Sequence, residues 1–452
     1  MLPPELLVSL ENVQGFDRAG FCEVHNSGSK ITSIRVNPAK SFDPIDHFKG
    51  AEQIPWSSHG FYLKDRPSFT TDPLFHAGAY YVQEAGSMFL EEAIKQTVDL
   101  SGPLRVLDLC ASPGGKSTLL QSIISSESLL VSNEIIKTRV GTLTDNITKW
   151  GAANVVVTNN DAKDFQRLPS FFDVIVVDAP CSGSGLFRKD NEAIDEWSLE
   201  NVSHCSIRQQ RILEDILPAL KPNGILIYST CSYSEEENEQ VTDILFDKHS
   251  MESLRIHTEE TGIIETRSGL HNCYGYRFYP NKIKSEGFYI AAFRYNGVEP
   301  CDVKEKRSTL SPIPKSDMAI LIKYLKDTDH FFFIKQKEDI LGIPAVLAKG
   351  LQLIQANLYI KKAGVKIGCL IRNELIPAHD LALSGLASEV FPHIDLDHFT
   401  ALNYLRKREI VLQTPIKGWA LIRYDKMNLG FIKVLPGRIN NYYPKDLRIL
   451  NM

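Results

Sequence analysis

Between residues 104 and 231 two kinds of apolar pattern alternate, and that alternation limits the fold more than any other feature of the chain. LRVLDL (104–109), SLLVSNE (128–134), NVVVTNND (154–161), FDVIVVDAP (172–180) and GILIYSTC (224–231) are short runs rich in β-branched residues, each ending in a polar or small residue. Helical periodicity fills intervals between them at 116–125, 137–150 and 203–220. Strands separated by helices imply an α/β fold with a parallel, doubly wound sheet. Farther on, GYRFYP (275–280) and GFYIAAFRY (287–295) read as a closing antiparallel pair. Ligands of such sheets sit beyond the carboxyl ends of the strands. The residues to question are therefore Asp108 to Cys110, Glu134, Asp161, Asp178 to Cys181, and Thr230 with Cys231.

The first of these strand ends runs into DLCASPGGKST (108–118). Glycines between a strand and a helix let the backbone approach a ligand and aim the helix amides at it. GGKST invites a phosphate-loop reading, but that motif needs glycine where Cys110 stands, so a nucleotide triphosphatase is disfavoured. Glu134 ends the next strand 26 residues after Asp108, near the offset at which a carboxylate takes ribose hydroxyls. Asp161 ends the third strand, where a carboxylate can take an adenine amino group. An adenosine-bearing cofactor suits all three positions.

Two cysteines differ from the rest by position. A free cysteine is usually a small buried hydrophobe. Cys181, in DAPCSGSG (178–185), and Cys231, in STCSY (229–233), instead stand at the carboxyl ends of the fourth and fifth strands, each before a Ser/Gly-rich turn. A thiolate there can add to an electron-poor carbon. The eight cysteines show no metal-ligand spacing, so neither a structural zinc nor a disulfide framework is expected.

Net charge at first argues against a nucleic-acid partner: 50 Lys+Arg against 55 Asp+Glu leaves −5 over 452 residues. Divided along the chain, residues 1–100 carry −5, residues 101–300 carry −8 and residues 301–452 carry +8. A basic C-terminal third suggests a polyanion-binding module. A Pro-, Ser- and charge-rich stretch at 296–317 reads as a linker. No apolar run is long enough to span a bilayer and the first residues lack a basic signal-peptide region, so a cytoplasmic protein is expected.

Taken together, DLCASPGGK, NEIIKTRV (133–140), DNITKWG (145–151), DAPCSGSGLFRKD (178–190) and YSTCSYSEEENE (228–239) resemble the Nol1/Nop2/Sun family of RNA 5-methylcytosine methyltransferases. YYVQEAGSMF (80–89) and RFYPNKIKSEGFYIAAFR (277–294) extend the match from about residue 50 to 295. The C-terminal stretch 417–449 resembles the PUA-like module of RsmF-type 16S rRNA methyltransferases.

The resemblance implies a class I S-adenosylmethionine-dependent methyltransferase, Rossmann-like with a mixed seven-stranded sheet, an N-terminal extension and a C-terminal PUA-like α/β domain. It places the S-adenosyl-L-methionine site on Cys110, Ala111, Ser112, Pro113, Gly114, Gly115, Lys116, Glu134, Asp161 and Asp178. It makes Cys231 the nucleophile, gives product release to Cys181, and places Asp178 against the base. The expected division is 1–75 for RNA positioning, 76–297 for catalysis, 298–380 for a linker and small subdomain, and 381–452 for the PUA-like domain. The expected partner is RNA, as 16S rRNA or the small ribosomal subunit; a monomer without metal or membrane attachment is expected. Transfer RNA is the competing substrate, since only the C-terminal resemblance favours ribosomal RNA.

A DNA methyltransferase would leave Thr230-Cys231 unexplained, and a non-covalent methyltransferase would need neither cysteine. A non-catalytic ribosome-assembly factor is the alternative from another class; retention of both cysteines opposes it. Arg188 with Lys189 are candidates for holding phosphate, and Tyr80, Tyr81 and Phe89 for stacking on a base, with core packing as the plainer role for the aromatics. Truncation beyond about residue 380 is expected to weaken RNA binding and spare cofactor binding.

Overall fold

A computed structural model describes residues 2–258, 261–298 and 311–450. Most of the expected linker, and Cys301 with it, lies outside the described residues.

At the N-terminus, β1 (Thr32–Val36), β2 (Glu52–Gln53), β3 (Gly60–Leu63) and β4 (Tyr80–Val82) form a small antiparallel sheet. The central sheet uses β5 (Arg105–Asp108), β6 (Leu129–Asn133), β7 (Val155–Thr158), β8 (Phe172–Asp178) and β9 (Leu220–Thr230), all parallel. Next come β10 (Met251–Leu254), β11 (Ile264–Arg267), β12 (Tyr274–Phe278) and β13 (Phe288–Tyr295), of which β12 and β13 are the expected closing pair. Helices Gly115–Ile123, Lys137–Trp150 and Leu199–Ile216 occupy the expected intervals.

The sheet order β12-β13-β9-β8-β5-β6-β7 is the seven-stranded core, with β13 antiparallel to β9. β10 and β11 widen it beside β13 and β12. The strands are buried on both faces because helices cover both. Along β5 and β8 the residues alternate between two cores: Leu107, Ile175 and Val177 on one face, Val106, Val174 and Val176 on the other.

The C-terminal third contributes β14 (Phe331–Gln336), β15 (Asp339–Pro344), β16 (Ile360–Ala363), β17 (Val365–Ile371) and β18 (Glu374–Pro377), then β19 (His393–Asp395), β20 (Gly418–Tyr424), β21 (Met427–Leu435) and β22 (Arg438–Asn441). β16 leaves its neighbours to pair antiparallel with β7, becoming the tenth strand of the central sheet. Sequence periodicity showed none of these edge additions, since short strands capping an existing sheet need no long apolar run of their own.

The three regions share their cores. Ile34, Leu63, Leu74 and Tyr80 of the N-terminal region pack with Leu402, Leu405, Ile432 and Tyr443. Helix His379–Leu383 spans the expected boundary at 380, and Lys40 Nζ donates to Leu383 O at 2.6 Å. A cut beyond residue 380 would strip more than half of that apolar cluster, so truncation cannot separate RNA affinity from folding as expected from sequence. The N-terminal sheet is tied to the catalytic region by Arg35. Fully buried, it donates to Gln83 Oε1 at 2.8 Å and Thr118 Oγ1 at 2.5 Å, beneath the Trp150 ring 4.5 Å away.

Candidate active site

The turn after β5 opens the site. Gly114 takes φ +114° immediately before helix Gly115–Ile123, a conformation that side chains with a Cβ rarely adopt. Asp108 is fully buried beneath the turn; its Oδ2 accepts from Ser117 Oγ at 2.6 Å while Oδ1 has no partner. Burial, opposed by the Ser117 hydrogen bond and helped by the charge of Asp178, lifts its pKa to about 7. At the end of β6 Asn133 cross-links the neighbouring strand ends, donating to Leu109 O and Asn160 O and accepting from Thr158 Oγ1. Glu134, almost wholly buried, accepts from Ile136 N at 2.8 Å, and Arg139 Nη1 lies 3.7 Å from its other oxygen. Arg139 also donates to Ser112 O at 2.8 Å, joining the turn to the acidic strand end. Asp161 caps the helical turn Ala162–Arg167 through Lys163 N.

Two clefts meet on this edge. The larger, about 460 Å³, is lined by Cys110, Ser112, Glu134, Asp161, Asp178, Cys181 and Cys231 among others. The smaller, about 170 Å³, lies between Tyr81, Gln83 and Glu84 and the turn 110–116. Cys110, Ser112 and Asp178 border both. Lys116 Nζ sits 2.7 Å from Asp178 Oδ2, whose other oxygen accepts from Ser229 Oγ at 2.8 Å. Burial alone would lower the Lys116 pKa, but Asp178 outweighs it and the ammonium is held above its ordinary range.

Adjacent strands β8 and β9 bring the two cysteines together, Cys181 Sγ lying 3.0 Å from Cys231 Sγ. The hydrogen bond to Cys231, followed by burial, holds the Cys181 thiol well above the usual thiol range. The two sulfurs share one hydrogen bond, and either can be its donor. Both turns hang from Glu237, which is fully buried. Its Oε1 accepts from Ser182 N at 2.8 Å and Gln209 Nε2 at 3.1 Å; its Oε2 accepts from Ser182 Oγ and Ser232 Oγ, each at 2.5 Å. The turns also touch backbone to backbone: Gly185 N donates to Cys231 O at 2.8 Å, and a Cβ on Gly185 would stand 2.4 Å from Gly287 O.

Residues 96–294 match the family described as 16S rRNA methyltransferase RsmB/F, residues 2–85 the RsmF N-terminal domain, and residues 391–449 the RsmF PUA domain. The ribosomal RNA small subunit methyltransferase F of Shewanella loihica is 30% identical over 92% of this chain and 88% of its own. That of Vibrio vulnificus is 30% identical over 92% and 90%. The chain belongs to the RsmB/F family. A methyltransferase homologue from Pyrococcus horikoshii, solved as a crystal structure, superposes with a TM-score of 0.52 at 28% identity, covering 65% of this chain and 100% of its own. NSun6 of the same organism, at 19% identity and a TM-score of 0.54, covers 66% and 99% and shares the fold.

As a member of the RsmB/F family the protein is an S-adenosylmethionine-dependent methyltransferase acting on cytosine carbon 5 of RNA. The residues present suit that donor. A glycine-bearing turn leaves room for close approach, a buried strand-end carboxylate faces the cleft at Glu134, and Asp108 holds an unpaired oxygen beneath the turn. Among the described residues no helix is long and apolar enough to cross a membrane, and no group of three or more His, Cys, Asp or Glu is placed to hold a metal.

All the strand-end residues singled out in the sequence line one cleft or the other, apart from Asp108 and Thr230, which lie buried under them. The flanking residues fare differently. Arg188 is buried in an ion pair with Glu286 at 3.3 Å and donates to Ser29 O, so only Lys189 of that basic pair is exposed. Tyr80 and Phe89 are core residues, while Tyr81 lines the small cleft. Sequence pattern gave no sign of Gln209, singled out neither Asn133 nor Arg139 within NEIIKTRV, and gave little sign of Glu237. Glu237 stands in the acidic run SEEENE, which looks like a solvated face; its one cue was adjacency to a strand-end cysteine.

Asp108 has a titration consequence. A carboxyl whose pKa rises from 3.8 to about 7 on folding lends stability that is complete below pH ~4 and lost as pH climbs toward 7. Asp108→Asn removes that dependence and can still accept from Ser117. Urea unfolding at pH 5 and pH 8 should show the variant gaining on the wild type at the higher pH. A stability difference independent of pH would contradict the buried, protonated Asp108.

Proposed function

We propose that this RsmB/F-family enzyme makes 5-methylcytosine in small-subunit ribosomal RNA, through a covalent adduct between Cys231 and cytosine carbon 6. The observation that carries the reading is the pair of thiols 3.0 Å apart on the cleft wall beside the Asp178–Lys116 ion pair. Cytosine carbon 5 is a poor nucleophile. Addition of the Cys231 thiolate at carbon 6 pushes electron density to carbon 5, which then accepts a methyl group. Dividing one difficult step in two is covalent catalysis.

Each polar group then has a task. Cys181 Sγ lies 3.0 Å from the attacking sulfur, and the Lys116 ammonium interacts electrostatically with Cys231. Asp178, held by Lys116 and Ser229, hydrogen-bonds the N3/N4 edge of the base as charge develops there. Cys181 serves release: it relays the carbon-5 proton to solvent, the freed C–H electron pair re-forms the C5=C6 double bond, the C6–S bond breaks, and Cys231 leaves as thiolate. Glu134, Asp161, Asp178 and the turn Cys110–Lys116 hold the methyl donor, which supplies the electrophilic methyl. A base in folded RNA must leave its stack to reach the pocket, at a cost of a few kcal/mol.

The names of the relatives and the PUA match favour ribosomal over transfer RNA. Action there fits a cytoplasmic protein, and a monomer is sufficient, since every group named comes from one chain. Incubation with S-adenosylmethionine and unmodified ribosomal RNA, followed by mass-spectrometric mapping, should locate 5-methylcytosine in the 16S fraction. Label in transfer RNA alone would refute the substrate; no label in any RNA, with donor binding intact, would refute the activity.

A further inference from the structure

Given that RNA substrate, we propose that a groove beside the N-terminal sheet carries the phosphate backbone of the strand entering the active site. The groove, about 820 Å³, lies between β1 and β3 on one side and the turn 280–284 on the other. Lys30, Lys64, Lys282 and Lys284 line it, with Arg188 and, among the described residues, a single acidic one, Glu52. Lys284 is paired with Glu52 at 3.0 Å. Lys30, Lys64 and Lys282 are exposed and have no ion-pair partner among the described residues. This cluster interrupts a strongly acidic background, since residues 1–100 carry −5 and residues 101–300 carry −8. With Arg188 held by Glu286 and Lys284 by Glu52, three of the groove's five cations are left without a carboxylate partner among the described residues.

The groove is tied to the catalytic edge by hydrogen bonds. Arg188 at its floor donates to Ser29 O at 2.5 Å and pairs with Glu286. Glu286 N in turn donates to Glu84 Oε1 at 2.9 Å, and Glu84 lines the small cleft with Lys116 and Asp178. The groove and the small cleft are thus joined through Arg188, Glu286 and Glu84, which fixes a strand in the groove relative to the catalytic edge. Free lysines along an open channel suit a polyanion, because ammonium groups on long stems track a phosphate backbone without fixed register. A protein partner is a poorer fit, as lysine is depleted at the centre of such interfaces. The basic C-terminal module then supplies additional contacts and not the whole phosphate-binding surface.

The test compares the full-length wild type with the triple variants Lys30→Glu/Lys64→Glu/Lys282→Glu and Lys30→Gln/Lys64→Gln/Lys282→Gln. KM for ribosomal RNA should rise at least about tenfold in the glutamate variant and less in the glutamine one. The slope of log KM against log salt should shrink by about 0.7–0.9 for each phosphate that the protein no longer neutralises. Donor binding by calorimetry and kcat at saturating RNA should stay within about twofold, because none of the three touches the clefts. Unchanged KM and salt slope in a wild-type-active preparation would overturn the proposal, as would weakened donor binding. A KM change seen with assembled small subunits but not with naked RNA would overturn it in favour of a protein contact. Failure of the wild type itself to label RNA would instead refute the underlying activity.

Discussion

Cys231→Ala should abolish methyl transfer, lowering kcat by at least about 10⁴-fold, while donor affinity stays within about twofold of wild type. The loss is that large because the reaction has no second route: without the thiolate, carbon 5 of the neutral ring cannot attack. Cys181→Ala should behave differently. Its Sγ is the hydrogen-bond partner of Cys231 at 3.0 Å, and release of the finished base is assigned to it. The variant should form the Cys231–RNA bond and fail to break it, so that a protein–RNA adduct survives denaturing electrophoresis. The double variant should form none. Both thiols share one cleft wall, so exchanged roles are the outcome to exclude: an adduct in Cys231→Ala and none in Cys181→Ala would invert the assignment. Adduct in neither single variant, with the wild type active, would remove covalent catalysis altogether.

Much of this site could be read before the fold was known, and the reason is the geometry of parallel sheets. Strands that alternate with helices all end on one edge, so Asp108, Glu134, Asp161, Asp178 and Thr230 had to converge wherever the strands paired. Strand order decides which ends touch, and β8 beside β9 is what sets Cys181 against Cys231. Resemblance supplied the roles of those residues. Single charged residues were harder to judge. Arg188 and Glu237 look solvated by composition, yet each is spent inside the structure, because partners distant in sequence, Glu286 and Ser182, meet them only after folding. The same holds for the long-range attachment of β16 to β7 and for the core shared between Leu74 and Leu405. Those contacts join segments hundreds of residues apart and leave no local periodicity.

Net charge changes its meaning in the same way. An overall −5 concealed a +8 C-terminal third, and a finer division now finds cations concentrated within the acidic part as well. Phosphate affinity depends on where charges cluster within about a Debye length, near 8–10 Å at ordinary ionic strength. The sum over the chain says little about it.

Glu237→Ala should be among the most damaging substitutions that leave both cysteines in place. It removes the acceptor for four hydrogen bonds, from Ser182 N, Ser182 Oγ, Ser232 Oγ and Gln209 Nε2, at a fully buried position. Each buried donor left unpaired costs about 1–3 kcal/mol, and partial rearrangement should leave a net loss of roughly 3–5 kcal/mol. Because Ser182 follows Cys181 and Ser232 follows Cys231, the two turns should also lose their register, and kcat should fall at least about a hundredfold with donor affinity little changed. Glu237→Gln separates position from charge. Its carbonyl can still accept from Ser182 N and Gln209, while its amide can donate to the two hydroxyls, whose oxygens lie 3.3 Å apart and can turn to accept. Burial already raises the Glu237 pKa against the pull of the Ser182 and Ser232 hydrogen bonds, so the neutral amide asks little of the surroundings. Glutamine should therefore restore most of the thermal stability and most of kcat. Full stability with a lost kcat in Glu237→Gln would make Glu237 a participant in proton transfer; intact kcat in Glu237→Ala would show that the cysteine turns hold themselves.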